Sequence, residues 1–418
     1  MVRVSTLALQ TPAPVHHAGN VLFWCAVVGT VTSLIFCGLA LAAAWRFHRR
    51  KLIAARTPAV FTPPISILKP LHGTEPGLEE SIESFFQQQY PAPYEILFCA
   101  RHLEDEGIQL AHSVAQRYPD QPVRYYACGE PLFPNPKMFS LGVMSENAAY
   151  PHFVTSDADA RVKPDYLLRC IQSLAPGHTA NGKQVELGSC LYIGHVDKGG
   201  LFTRLDAVGK TVEMGSGVLV ADMLSGTDFA LGVTMILEKK TFAEGGGYAD
   251  LGEHWAEDFV LGNRLANAGR GVEMSTHVIK LVVADQGIIR SFRDQLRWMQ
   301  STRRSRPAGH LGTGLTFAMP FGLLGFAVEA VRSHWTSAVA FLAIAIANRM
   351  LQAFTMLRVL GAEGIVFQTV IYPLRDLLGF IVWCSSYLPA DTRYHGTRFR
   401  IMPNGRLQAD PEQPLPRA

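Results

Sequence analysis

The sequence predicts an α/β domain built on a mixed, mostly parallel sheet, with transmembrane helices on its N- and C-terminal sides. Three observations predict it. Between about residues 60 and 305, short β-rich runs alternate with helical ones, the pattern of strands joined by crossover helices. Val21 to Trp45 carries no charge over 25 residues, long enough to cross a bilayer. After residue 311 three further apolar stretches follow.

Composition agrees with this division. At 418 residues, 48% of them hydrophobic, the chain accommodates a soluble domain of roughly two to three hundred residues and a membrane portion besides. A net charge of +3 gives no global argument for nucleic acid, so the basic residues matter by position. The seven cysteines (25, 37, 99, 128, 170, 190 and 384) form no CxxC pair and are odd in number. Neither a disulfide framework nor a zinc site is implied, and a reducing, cytosol-facing domain fits them.

Taken in order, residues 1–20 form a polar N-terminal tail and 21–45 a transmembrane anchor. It has no basic n-region beyond Arg3 and lacks a convincing small-residue cleavage site, so it reads as an anchor, not a removed signal. Arg46, Arg49, Arg50, Lys51 and Arg56 follow at once, which places the N-terminus outside and the following domain in the cytoplasm. Strands are expected at Ile65 to Lys69, Tyr94 to Cys99, Val123 to Ala127, His152 to Ser156 and Leu231 to Leu237. Helices are expected at Leu78 to Gln88, Gly107 to Tyr118, Lys137 to Ala149, in the amphipathic run after Trp255, and at Ile288 to Thr302.

The chemistry is placed at Phe153-Val-Thr-Ser-Asp157-Ala-Asp159, an apolar run ending in two carboxylates one residue apart. Asp-x-Asp at a strand end is most often a solvated turn. In the functional reading, Asp157 and Asp159 hold Mg2+ or Mn2+ against a polyphosphate, because hard cations take oxygen ligands and keep positions open for phosphate. Ligands of such sheets sit at the carboxyl ends of strands, where Arg101 to Glu106 also falls. No dinucleotide fingerprint is present, since Val220 stands where Gly215-Ser-Gly217 would need its third glycine, and no Walker-type Gly-Lys-Ser/Thr occurs.

Glu257 and Asp258 stand in the first turn of a helix, where the dipole favours negative charge; beyond capping, Asp258 is a candidate general base. Arg290, Arg293 and Arg297 recur at spacings that share one helix face, beside Trp298. Such a stripe suits lipid headgroups. The functional alternative has Arg297 neutralising a departing diphosphate while Trp298 packs on the substrate. The apolar stretches Leu315 to Val331, Trp335 to Leu357 and Ile365 to Leu388 each carry polar or charged residues. Three full crossings would leave the Arg-rich tail outside, so either the short first stretch or the Pro373-broken third is expected to be re-entrant or interfacial.

Together these marks resemble the ceramide glucosyltransferase family, a membrane-bound branch of the inverting glycosyltransferases with the GT-A fold. Leu68-Lys-Pro-Leu-His-Gly73 is similar to the family's Leu-Lys-Pro-Leu-x-Gly and Asn135-Pro-Lys137 to its Asn-Pro-Lys. Glu104-Asp105, Asp157 and Ala256-Glu257-Asp258 stand at its three acidic signatures, and Arg297-Trp298 closes its Gln/Arg-x-x-Arg-Trp motif. One departure is that Asp294 occupies the first position of that last motif, with Gln295 beside it. The stretch from Ser305 to Pro320 resembles the bacterial subgroup that acts in hopanoid biosynthesis.

The resemblance implies transfer of one sugar, N-acetylglucosamine or glucose, from a UDP-sugar donor to a lipid hydroxyl, on bacteriohopanetetrol or else ceramide. It implies Asp258, Arg297 and Trp298 as catalytic, Lys69, Asp105, Lys137, Asp157 and Arg297 as donor-binding, and a divalent cation, Mg2+ or Mn2+, at Asp157 and Asp159. The partners are then the UDP-sugar, a membrane lipid acceptor and the bilayer, with no nucleic acid. The expected setting is a multi-pass protein of the inner or cell membrane with a cytoplasmic GT-A domain at 60–305, a membrane region at 311–389 and a basic tail at 390–418. A processive polysaccharide synthase and a catalytically silent membrane scaffold are the alternatives.

Overall fold

The computed structural model describes residues 13–285, 287–388, 391–394, 397–402 and 405–409; the outermost parts of both expected tails lie outside them. A long helix α1 (Ala13–Arg56) opens the chain. The first half of the domain is β1 (Ile65–Pro70), α2 (Leu78–Phe86), β2 (Tyr94–Ala100), α3 (Glu106–Ala115), β3 (Val123–Ala127), α4 (Pro136–Asn147) and β4 (His152–Ser156). There follow β5 (Ala160–Arg161), α5 (Tyr166–Cys170), β6 (Thr179–Ala180), β7 (Lys183–His195), the 25-residue helix α6 (Leu201–Ser225) and β8 (Thr234–Glu238). Then come α7 (Lys239–Glu244), α8 (Gly247–Gly252), α9 (Glu257–Asn267), β9 (Gly271–Val282) and α10 (Gly287–Ser305). The C-terminal part holds α11 (Pro307–Thr313), α12 (Met319–Val331), α13 (Trp335–Leu360) and α14 (Ile365–Ser385), then β10 (Asp391–Tyr394), β11 (Thr397–Ile401) and β12 (Leu407–Ala409).

The main sheet runs β3-β2-β1-β4-β8-β7-β9-β5, with β6 beside β7. The β1, β2, β3 and β4 ladders and the long β7–β9 ladder are parallel, whereas β8 is antiparallel to both its neighbours. Strands covered on both faces must be apolar throughout, and Ile65, Ile67, Leu68, Ile96, Leu97 and Phe98 are all fully buried. The insertion of β8 reverses direction only locally, so β1, β2, β4, β7 and β9 all end at one edge of the sheet. The loops that leave this edge after β2 and β4 carry Asp105 and the Asp157–Asp159 pair.

Helix α1 continues well past the expected anchor boundary at residue 45. Ala40, Ala43, Ala44 and Phe47 are buried with Val208 and Val212 of α6 and Leu191 and Ile193 of β7, so its second half is part of the α/β domain's core. Arg50, expected as one of the basic flanking residues, pairs with Asp222 at 3.2 Å and Glu273 at 2.9 Å.

Three helices are long and apolar enough to cross a membrane, Ala18–Arg56, Trp335–Leu360 and Ile365–Ser385; Met319–Val331 is shorter. Their side chains fix relative directions. Helix α12 is antiparallel to α1, with Arg332 on Asn20 at one end and Thr32 Oγ1 on the Leu315 carbonyl at the other. Helix α13 is parallel to α1, since Phe23 meets Phe341, Asn348 meets Ser33 and Lys51 meets the Val359 carbonyl. Helix α14 touches the α/β domain along its length: Arg375 bonds Glu213 of α6 and Gln295 of α10, and Leu388, just past the helix end, accepts from Gln300. At its middle Asp376 receives Arg349 at 3.1 Å and the first backbone N–H groups of α12, from Ala318 and Met319.

The segment after residue 390 is more than a basic tail. Its strands form a small antiparallel sheet. The turn before β12 docks beside α9, where the Trp255 N–H donates to the Gly405 carbonyl, the Leu407 N–H to the Glu253 carbonyl, and Arg406 meets Asp250 at 2.8 Å.

Candidate active site

The Asp-x-Asp loop is fixed by the strands around it. Leaving β4, the Asp157 N–H donates to the Val233 carbonyl; after the turn, the Asp159 carbonyl receives the Val282 N–H at the end of β9. The loop therefore sits where β4, β8 and β9 come together. Beneath it lies Lys69 of β1, fully buried, donating through Nζ to the Asp157 backbone carbonyl at 2.6 Å with its ammonium over the Phe85 ring. From there Lys69 shapes the loop and does not reach into the crevice. Burial lowers its pKa to about 7, opposed by the charges of Asp159 and Asp157.

Helix α4 brings the cation. Asn135 caps it by accepting the Met138 N–H, with Pro136 in the first turn, a sequence suited to start a helix abruptly. Lys137 then projects between three loops, 2.7 Å from Asp157 Oδ1, 3.3 Å from Glu257 Oε1 and 2.9 Å from the Gly232 carbonyl. Burial by itself would lower its pKa, but Asp157 and Glu257 hold it raised and the ammonium charged. The other end of Glu257 accepts from Asn135 Nδ2 at 3.0 Å, so a buried carboxylate fixes α4 to α9.

Asp258 stands next on α9 and faces the same space. Its Oδ2 accepts the Gly232 N–H at 2.5 Å and its Oδ1 the Phe259 N–H at 2.8 Å. Gly232 permits this approach, because a Cβ there would lie 2.9 Å from Asp258 Oδ2 and 3.2 Å from Lys137 Nζ. Burial and then the Glu257 charge push the Asp258 carboxyl up to about 6, against Lys137 and the two backbone donors. Asp159 is pushed up to about 7, first by burial and then by Asp157, with Lys69 and Lys210 pulling the other way.

Among the described residues no group of three His, Cys, Asp or Glu side chains is arranged to hold a metal ion. Two carboxylates in one turn nevertheless fit a hard cation whose remaining positions are taken by phosphate oxygens and water. Burial first and then the Asp157 charge raise the Asp159 carboxyl, and a cation between the two would offset both.

The remaining expected residues are distributed unevenly. Asp105 caps α3 through the Gly107 N–H and holds the Gly73 N–H with both oxygens, so it ties the loop after β1 to the loop after β2. Arg297 lies over Trp255, three residues before Asp258, with 5.7 Å to the ring centroid, and is 3.9 Å from Asp294. Trp298 is 39% exposed and carries Lys210 Nζ over its ring at 5.3 Å. Arg290 and Arg293 are exposed whereas Arg297 is half-buried, so the three arginines do not act as one stripe. Gln295, beside the displaced motif position, bonds Arg375 of α14 at 2.6 Å.

Three contributors escaped the sequence reading. Lys210 and Asp206 pair at 3.1 Å one turn apart on α6, and Tyr192 of β7 is buried within reach of the charges of Asp258, Asp159 and Asp157. The available signal was the Asp206–Lys210 pair, four residues apart inside the 25-residue helix α6.

Comparison with known proteins identifies a family for the chain. The model of glycosyl transferase family 21 matches residues 25–407. Ceramide glucosyltransferase 1 of Caenorhabditis elegans is 27% identical over 238 residues, 57% of this chain and 49% of that protein. Ceramide glucosyltransferase 3 of the same organism is 28% identical over 265 residues, 63% and 55% of the two chains. The chain thus spans about half the length of these curated relatives. Among solved structures, a mannosyltransferase from Pyrobaculum calidifontis in complex with GDP-Man and Mn2+ aligns at a TM-score of 0.47 and 15% identity, covering 84% of this chain and 99% of that one. Glucosyl-3-phosphoglycerate synthase from Mycobacterium tuberculosis, with Mn2+, UDP and phosphoglyceric acid, aligns at 0.36 and 15% identity over 59% and 79%.

Proposed function

Because the chain belongs to glycosyl transferase family 21, we propose that it moves a single sugar, glucose or N-acetylglucosamine, from a UDP-sugar to the hydroxyl of a neutral membrane lipid, ceramide or bacteriohopanetetrol. The observation that carries this reading is the placement of Lys137 between Asp157 and Glu257, which sets the acid pair of the β4 loop and the acid of α9 on one crevice.

In this mechanism Asp157 and Asp159 would hold Mg2+ or Mn2+, which supplies positive charge to the donor's diphosphate. Lys137 and Arg297 add charge on the same side, so the oxygen that leaves carbon 1 of the sugar is neutralised as the bond breaks. Asp258 takes the proton of the lipid hydroxyl, and that oxygen forms the new bond to carbon 1 from the opposite face, giving an inverted, β-linked product. A carboxyl raised to about 6 is a stronger base than an ordinary aspartate yet remains ionised at neutral pH. Asp105 contacts the nucleoside from the loop it stabilises, and Trp298 forms part of the acceptor wall.

The helix directions support a topology in which α1, α12 and α13 cross and α14 lies in the interface. Three crossings then carry the chain from an outer N-terminus to an inner C-terminal segment, in agreement with the basic residues in the last turns of α1 and α10. The setting is a cell membrane with the catalytic domain on the cytoplasmic side.

The test is mass spectrometry of lipids from membranes containing the full chain, incubated with UDP-glucose or UDP-N-acetylglucosamine. A lipid heavier by one sugar is expected. A ladder of sugar additions would indicate a processive synthase, and release of no UDP a silent scaffold.

A further inference from the structure

A second cavity, of about 390 Å³, opens beside the crevice where the end of β7, the first turns of α6 and the α13–α14 turn meet. Ile193, His195, Arg204, Glu363, Phe367 and Gln368 line it. That volume lies in the range of small-molecule sites. It also sits at the functional edge of the sheet: the His195 carbonyl accepts the Val283 N–H, one residue past the Val282 N–H that binds the Asp159 carbonyl.

The lining is built of groups that restrict what enters. Glu363 is already paired, 2.8 Å from Lys280 and 3.6 Å from His195, and His195 in turn binds Asp197 at 2.9 Å. Arg204 stacks over the Phe367 ring at 5.8 Å. With a cation and an anion both in the wall, neither sign of ligand charge is favoured. Gln368 differs from them. Its Nε2 is spent on the Glu363 carbonyl at 2.5 Å, while its Oε1 is buried without a hydrogen-bond partner among the described residues. A buried acceptor without a donor is destabilising, and an O–H or N–H from a ligand removes that cost.

The two helices that line the cavity also carry exposed apolar residues. Leu201 and Phe202 on α6 are 45% and 44% exposed, and Val366 and Val370 on α14 are 75% and 59% exposed. The latter two lie on a helix with the length and composition of a membrane segment. Exposed apolar residues on two adjoining helices mark a surface that lipid covers.

We propose that this cavity is the entry site for the acceptor, a neutral lipid whose hydroxyl or amide donates to Gln368 while its chain lies along Leu201, Phe202, Val366 and Val370. The assignment rests on the lipid-glycosylation reading above and locates its second substrate. The acceptor then reaches Asp258 sideways from the bilayer along the β7 end, and the UDP-sugar enters from the aqueous side.

The experiment uses the full chain in phosphatidylcholine nanodiscs with a ceramide bearing a photoreactive diazirine, the adducts being mapped by peptide mass spectrometry. Adducts are expected in 193–207 and 363–370, falling at least fivefold with excess unlabelled ceramide and unaffected by equal anionic phosphatidylglycerol. Gln368→Leu and Phe367→Ala are each expected to reduce the competable adducts at least threefold. Adducts spread over α1 and α13 without competition, competition by phosphatidylglycerol, or full labelling of both variants would overturn the proposal. Labelling requires no UDP-sugar, so it stays readable if sugar transfer is absent. Transfer with adducts elsewhere would overturn the cavity assignment alone.

Discussion

Lys137 Nζ lies 2.7 Å from Asp157 Oδ1, joining the first turn of α4 to the loop after β4. The same ammonium lowers the pKa of Asp258, whereas Glu257 raises it, and the net result with burial is a carboxyl near 6. A general base acts only when ionised. Turnover at saturating donor should therefore fall about tenfold per pH unit below 6 and level off above it. Glu257→Gln removes a like charge and should move this limb to lower pH; Lys137→Met removes an opposite charge and should move it to higher pH. Rate profiles of the three proteins check both directions, and limbs that coincide would remove Asp258 from the role of base.

Arg297 is held by Trp255, three residues before Asp258, and by Asp294. Arg297→Ala should lower turnover by about 10²–10³-fold, the scale of deleting one group that stabilises developing charge. The same change should alter acceptor KM little. Near-normal turnover in steady-state assays would return Arg297 to the headgroup stripe that its neighbours Arg290 and Arg293 resemble.

The sequence was most legible where strands are short and bounded by turn residues. The strands at 123–127 and 152–156 lie where β-rich runs sit between polar loops, and Asp157, Lys137 and Asp258 were each found through motifs at element ends. The stretch from 183 to 225 was opaque. β7 is paired on both sides and α6 is buried at most positions from Thr203 to Val220, polar ones included, so neither shows the alternation that marks a half-buried element. For that reason Tyr192, Asp206 and Lys210 went unread. Lys69 was found by its motif but not by its environment, because nothing local says that a lysine in β1 will be sealed under the next loop.

Within the apolar bundle, Arg349 and Asp376 are both almost wholly buried, 3.1 Å apart, and Asp376 also caps α12. Asp376→Ala leaves a buried cation and two backbone donors without their carboxylate. It should destabilise the protein by about 3–5 kcal/mol. The double change Arg349→Met with Asp376→Leu should recover part of the loss, which thermal unfolding in detergent measures. A double variant no more stable than Asp376→Ala would mean that the cap, not the charge pair, is what matters.

The proposed topology makes a simple prediction for residue 333, in the turn between α12 and α13. In a protein whose exposed Cys25 and Cys384 are replaced by serine, Ser333→Cys should react with a membrane-impermeant maleimide on intact cells. Glu104→Cys, in the catalytic domain, should react only after permeabilisation. The reverse pattern would invert the orientation, and equal protection of both would place α12 short of the outer surface.

The central claim is that the acids of the β4 loop hold the donor while the acid of α9 acts on the acceptor, within one crevice. Its most direct test is the Mn2+-dependent affinity for UDP of Asp157→Asn beside Asp258→Asn, measured by calorimetry. Asp258→Asn should bind UDP within about twofold of the unaltered protein and Asp157→Asn at least tenfold more weakly, a difference of about 1.4 kcal/mol or more. Equal loss of UDP affinity in the two proteins would contradict the division of roles.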